Sequence, residues 1–375
     1  MMKRVILCIC IILSLCLFVY YREHKLPEQQ NIATNSSFDH NTGDFEPQKE
    51  LSHLYQFIIN KLSGSHGVFT NYQDTDQSAE VATGHVVLSE SAGLLLRYYV
   101  LTNQQDAFEK EWIRTKQTFD RTDGFSYRYS PKLDKNYSVN AAVDDLRIIR
   151  ALYEAGSVFK NKHYVADADT YAKRFYKHNV KDNHVYDFYD NQFKITNSFI
   201  TLCYIDLKTL QLISDSTQVG EKTYVNMLDI IHNGYISDRF PFYETRYQYD
   251  SGSYNSDHIN TVESLLTILA LSEVKHQNPS SISYLKEQVK QGKLFGQYTV
   301  EGVPTNDIQS TAIYAIAAMI GSELDDRELY EDSIQRMIQY QVQDLSSPLY
   351  GGFGDVNTLT AYSFDNLMAL LAFVY

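Results

Sequence analysis

The sequence predicts an all-α fold: six helical hairpins closed into an (α/α)6 barrel, preceded by an N-terminal transmembrane or signal segment. Three observations carry this. Apolar residues recur at helical spacing over twelve stretches from Leu51 onward. Between pairs of these stretches a glycine or polar turn leads into aromatics, at Gly67, Gly124, Asn183, Gly234, Phe295 and Tyr350, in steps of 57, 59, 51, 61 and 55 residues. No polar capping repeat is evident in the array; an open solenoid needs one and a ring does not.

Taken in order, the chain opens with Lys3 and Arg4, an apolar run of 17 residues from Val5 to Tyr21, and then Arg22, His24 and Lys25. This is the pattern of a signal peptide or signal anchor, residues 1–25. No small-x-small cleavage site follows, which favours an uncleaved anchor. Residues 26–49 are polar and read as a flexible linker. The domain is expected over 50–375. Its helices are expected at Leu51–Leu62, Val86–Leu101, Asp106–Thr118, Ala142–Phe159, Ala166–His178, Ser198–Leu212, Gly220–His232, Asn260–Val274, Ser280–Gln291, Ile308–Met319, Arg327–Gln341 and Phe364–Val374. Each aromatic segment should sit at one mouth of the barrel, just before an inner helix.

Composition narrows the function. A formal charge of -13 without a basic stripe argues against nucleic acid. Cys8, Cys10 and Cys16 lie in the leader and only Cys203 in the body, so neither a disulfide within the domain nor a thiolate metal site is available. An exported domain of this kind suits a bacterial envelope. The 30 tyrosines and 19 phenylalanines supply core and also flat faces on which sugars stack.

The stretch from Gly84 to Tyr99 is apolar on more than one face and should be buried. Ser89 and Glu90 interrupt it. They can be a helix cap and a dipole-favoured acid. A carboxyl in such a place can also be held protonated, as a general acid requires.

Ser89-Glu90 followed by Ala92-Gly93 resembles the acid motif of glycoside hydrolase family 8. Asn140-Ala141-Ala142-Val143-Asp144-Asp145-Leu146 is similar to that family's second landmark, and Tyr249-Asp250-Ser251 to its Tyr-Asp-Ala base motif, with Tyr243-Glu244-Thr245-Arg246 as a rival match. Ser91, Val143 and Leu94-Leu95 depart from the family pattern. The chain is most similar to divergent members associated with exopolysaccharide operons. The resemblance implies an (α/α)6 barrel that hydrolyses a β-linked polysaccharide with inversion.

Inversion needs an acid and a base on opposite sides of the scissile bond, roughly 6.5–9.5 Å apart. The resemblance implies Glu90 as acid and Asp250 as base, with Glu244 as second choice. Arg246 could hold either base ionised. Asp144 and Asp145 are neighbours about 100° apart on a helix, so one of them faces the cleft to bind or distort the sugar. Arg147 is expected on the outer side. Tyr127, Tyr129, Tyr189, Tyr249 and Tyr254 are candidate glycan platforms. No metal-ligand spacing, phosphate loop or nucleophile elbow is visible, and no cofactor is expected.

The expected function is that of an extracellular glycoside hydrolase at the bacterial membrane, or secreted if the leader is cleaved. Its expected partners are a polysaccharide, the membrane and the exopolysaccharide-synthesis machinery. The rivals are a non-catalytic glycan-binding or assembly protein on the same barrel, and a polysaccharide lyase with a Tyr or His base.

Overall fold

A computed structural model describes residues 47–75, 81–217 and 220–375. The expected leader and nearly all of the expected linker lie outside these residues. No described helix is long and apolar enough to cross a membrane. The linker boundary moves by two residues: the first helix begins at Gln48, after Pro47, and buries Leu51, Leu54, Phe57 and Ile58.

The described helices are α1 Gln48–Lys61, α2 Ser89–Leu101, α3 Gln105–Phe119, α4 Ala142–Val158, α5 Lys162–Asn179, α6 Leu207–Thr217, α7 Glu221–Asn233, α8 Thr261–Glu273, α9 Pro279–Gln291, α10 Thr311–Glu323, α11 Arg327–Ile338 and α12 Ser363–Ala372. The even-numbered helices form the inner ring. Each packs against the next, and α12 returns to pack on α2, so the array closes. Sequence explains which helices go inside. In α10 every residue from Thr311 to Ser322 is buried, as expected of a helix that is apolar all round. In α3 the buried side chains Phe108, Glu111, Trp112, Thr115, Thr118 and Phe119 make a single stripe facing inward.

Inner helices turn back into outer ones through tight corners with Asn103, Lys160, Lys275 and Asp325 in the left-handed region, at φ 53°, 55°, 61° and 54°. At the opposite mouth, outer helices return through the six aromatic segments. These are not purely irregular: short strands make the rim. They include β1 Val87–Leu88, β2 Arg128–Ser130, β3 Phe199–Thr201, β4 Arg246–Gln248 and β5 Ser253–Asn255. β1 pairs with β2 immediately before α2, and β4 pairs with both β3 and β5. The helix expected over Ser198–Leu212 is therefore corrected. Phe199–Thr201 is extended against β4, a 3-10 turn follows at Leu202–Tyr204, and α6 starts only at Leu207. Aromatic and β-branched residues favour the strand once a partner edge is present.

The closed end of the barrel holds a buried ionic cluster. Arg97 of α2 and Arg150 of α4 share Glu154, at 3.1 and 2.9 Å. Arg150 also reaches Glu273 at 2.8 Å, and the Tyr375 hydroxyl donates to the same carboxylate at 2.7 Å. Between this cluster and the mouth lies a cavity of about 70 Å³ whose lining includes Arg97, Arg147, Arg150, Cys203 and Glu273.

Candidate active site

The site is built from the N-termini of inner helices and the turns before them. The β1–β2 pairing sets the start of α2, where the Ser89 backbone N–H donates to the Tyr127 carbonyl at 3.0 Å. The Ser89 hydroxyl donates to Asp144 Oδ2 at 2.9 Å. One residue on, Glu90 Oε2 accepts from Arg147 Nη1 at 3.2 Å, and the same nitrogen donates to Asp144 Oδ1 at 3.2 Å. The side chain of Glu90 is 24% exposed, that of Asp144 only 7%. Arg147 thus points into the mouth, not outward as expected. A charged residue faces outward on a helix with one wet face, but α4 is walled on nearly all sides.

Two carboxylates around one guanidinium leave one negative charge in excess. Burial, and then the charge of Glu90, push Asp144 up to about 7. The cluster therefore carries a proton close to neutral pH, with Arg147 as the shared counter-ion.

Asp144 and Asp145 separate as their 100° offset requires. Asp145 turns away to accept from Asn140 Nδ2 at 2.8 Å. A Cβ on Gly124, where φ is 148°, would lie 2.7 Å from Asp145 Oδ2, so this pocket is closed by a glycine. Asp145 is a structural partner of the rim.

The other side of the mouth contains groups that sequence reasoning missed. Asp187 accepts the Thr201 N–H and hydroxyl, both at 2.6 Å, and burial pushes it up to about 6. Glu263, in the first turn of α8, is half-buried; its N–H donates to Asn260 Oδ1 at 3.3 Å, but its carboxylate makes no hydrogen bond or ion pair among the described residues. Burial raises it, against the pull of Arg246. Tyr204 lies in the field of Asp144, Asp187 and Glu90, with its phenol raised first by burial. Only a glutamate in the first turn of an otherwise apolar helix, a feature that α8 shares with α2, could have drawn attention to Glu263.

The remaining predicted residues fall in three places. Asp250 is exposed at the turn of the β4–β5 hairpin, close enough to Tyr186 to act on its phenol. Tyr249 beside it donates its hydroxyl to the Val185 carbonyl and packs on Tyr186, ring centroids 4.6 Å apart. Arg246 lies over the Phe199 ring at 4.9 Å and forms no ion pair with Asp250 or Glu244 among the described residues. Its charged neighbours are Asp187 and Glu263. Glu244 is half-buried, its N–H bonded to the Gly234 carbonyl at 2.8 Å. Tyr127 is half-buried beside Arg128. Tyr129 and Tyr189 are corrections: both are buried, against His66 and His178, so their faces pack inside the rim. Tyr254 donates to the Ile230 carbonyl at 2.6 Å, on the outer-helix side of the hairpin.

No family model and no curated protein sequence matches the chain. Solved structures do. A protein described as a novel alpha-amylase, from Clostridium perfringens, is 35% identical with a TM-score of 0.81, over 86% of this chain and 97% of that one. The chain belongs to the glycoside hydrolases built on the family 8 barrel. PssZ from Listeria monocytogenes is 20% identical (TM-score 0.65), covering 85% of this hydrolase and 93% of PssZ. A cold-adapted family 8 xylanase is 11% identical (TM-score 0.64), covering 88% and 91%. At those identities the likeness is one of fold. The closed ring places Glu90 at the mouth of this hydrolase, on an inner helix, beside the buried Asp144.

Proposed function

We propose that the protein is an inverting endo-glycanase in which Glu90 protonates the leaving oxygen and Asp250 takes the proton of the attacking water. The observation that carries it is the Glu90–Arg147–Asp144 cluster, two carboxylates 3.2 Å from one guanidinium nitrogen at the open end of a ring. Burial and the charge of Glu90 hold a proton on Asp144, and of the two carboxylates Glu90 is the one a glycosidic oxygen can reach. A proton that passes from Asp144 to Glu90 is delivered from there to the leaving oxygen. Asp250 stands exposed to water on a hairpin that spans the rim. Glu244 is the second choice for the base. Glu263 is a third, favoured by its unpartnered carboxylate on an inner helix two places beyond that of Asp144.

The substrate we infer is a glucan. An α-linked chain is supported by the 35% identical relative described as an alpha-amylase. A β-linked chain, the reading from sequence, is supported by the shared barrel of enzymes described as an endo-beta-1,4-glucanase and a xylanase. We further propose that residues Val5–Tyr21 hold the enzyme at the outer face of a bacterial membrane, where exopolysaccharide is handled; the run's length and flanking charges support this.

The test incubates wild type and Glu90→Gln with starch, lichenan, xylan and chitosan. New reducing ends are counted and the first product anomer is read by NMR. Wild type should cleave one class of chain, and Glu90→Gln should be slower by at least about 100-fold. Inversion yields the β-anomer from an α-linked chain and the α-anomer from a β-linked one. Retained anomeric configuration, or equal rates for the two proteins, would overturn the proposal. Asp250→Asn, Glu244→Gln and Glu263→Gln assayed in parallel identify the base as the variant with the largest loss in kcat.

A further inference from the structure

The β4–β5 hairpin has two faces, as strand alternation requires. Arg246 faces the mouth, toward Asp187 and Glu263. Tyr247, its neighbour, faces the other way and pairs across the hairpin with Tyr254, ring centroids 5.0 Å apart. Behind this tyrosine pair lies an open groove of about 420 Å³. Its far wall is α7, which presents Asn226, Asp229 and Asn233 on one face at spacings of three and four residues. His184 closes one end.

The groove is supplied with unused polar groups. Among the described residues, the Tyr247 hydroxyl and the side chains of Asp229 and Asn233 make no hydrogen bond. Asn226 donates to the Asn183 carbonyl at 3.1 Å, which leaves its side-chain oxygen available. His184 uses Nδ1 on the Asp182 carbonyl at 2.9 Å, which leaves Nε2. Tyr254 is held rigid by its bond to Ile230, and a Cβ on Gly234 would come within 3.0 Å of its ring. No lysine or arginine lines the groove, so nothing there would hold a phosphate or an acidic chain. Flat aromatic faces ringed by neutral amides and one carboxylate suit a neutral, hydroxyl-rich ligand.

We propose that this groove is an accessory glycan-binding site, distinct from the catalytic mouth and joined to it over the hairpin turn at Asp250. The proposal rests on the glycanase reading for its ligand class. A polymer lying across Tyr247 and Tyr254 would be held near the rim while one of its linkages is cleaved.

The experiment runs wild type, Glu90→Gln, Tyr247→Ala and Asp229→Ala through native gels containing soluble starch or lichenan. It also measures cleavage of the polymer and of a trisaccharide of the same linkage. Glu90→Gln should be retarded like wild type. The two groove variants should lose about three- to tenfold in apparent polymer affinity and cleave the trisaccharide at the wild-type rate. Asp229 is exposed on a helix, so its variant keeps the test alive if Tyr247→Ala fails to fold. Groove variants that are retarded like wild type by a polymer that wild type cleaves would overturn the accessory site alone. Retardation lost in the groove variants, with no cleavage of any polymer, would overturn the hydrolase reading alone. Neither retardation nor cleavage by wild type would overturn both.

Discussion

At the residue scale, the chemistry turns on how one guanidinium is shared. Arg147 lies 3.2 Å from both Glu90 and Asp144, so each carboxylate competes with the other for ionisation. The pair keeps a proton up to about pH 7, the value to which burial and Glu90 raise Asp144. Activity that needs this proton is present below that pH and is lost as pH rises through it. Asp144→Asn removes the competitor. The protein then loses the buried group that carries the proton, and the alkaline limb of the kcat/KM profile should move to lower pH. A limb that moves upward or stays fixed would show that Asp144 does not govern the acid. Adjacent identical residues conceal this role. Nothing in Asp144-Asp145 says which one meets Glu90, because the rotation of α4 is set by its neighbours.

At the element scale, the cluster exists because two inner helices come close. A Cβ on Gly93 would lie 3.0 Å from Arg147 Cβ and 3.4 Å from Ile148 Cγ1. Gly93→Ala should push α4 away from α2 by a few tenths of an ångström. The expected result is a loss of about tenfold in kcat with little change in KM, since a small displacement of a positioning residue weakens the transition state first. Unchanged kcat would mean that the Arg147 bridge tolerates the shift. Elements also show where periodicity misled. Ser198–Leu212 has helical spacing, yet Phe199–Thr201 joins a sheet edge supplied by residues 246–248, nearly fifty positions away. Window-based reading has no access to a partner that distant. Tyr204 and Cys203 sit in the resulting turn, so the same misreading hid one wall of the site.

At the scale of the whole molecule, a ring of six inner helices needs its closed end sealed. The seal is ionic: Arg97 and Arg150 against Glu154 and Glu273, with Tyr375 capping Glu273. Arg150→Ala leaves Glu154 and Glu273 with half of their counter-charge in a buried place. Unfolding in urea should report a loss of about 3 kcal/mol, in the range for breaking a buried pair from one side. A change below about 1 kcal/mol would mean that water reaches the cluster and screens it. Because the loss acts on the barrel floor, two turns below Glu90, the alkaline limb of the activity profile should not move.

The number of helical hairpins, their inner or outer assignment and the mouth position of the aromatic segments were determined by sequence alone. Those properties depend on local period and on how much of each helix is apolar, and both are written within ten to fifteen residues. The place of Glu90 was legible for the same reason, as a carboxyl in an otherwise apolar run. The tertiary structure decided the rest. It turned Arg147 inward, chose Asp144 over Asp145, buried Tyr129 and Tyr189, drew Glu263 to the mouth and set Tyr247 and Tyr254 behind the hairpin. Each of these depends on which surfaces meet when the ring closes. That is settled by packing between residues far apart in the chain, which no local pattern records.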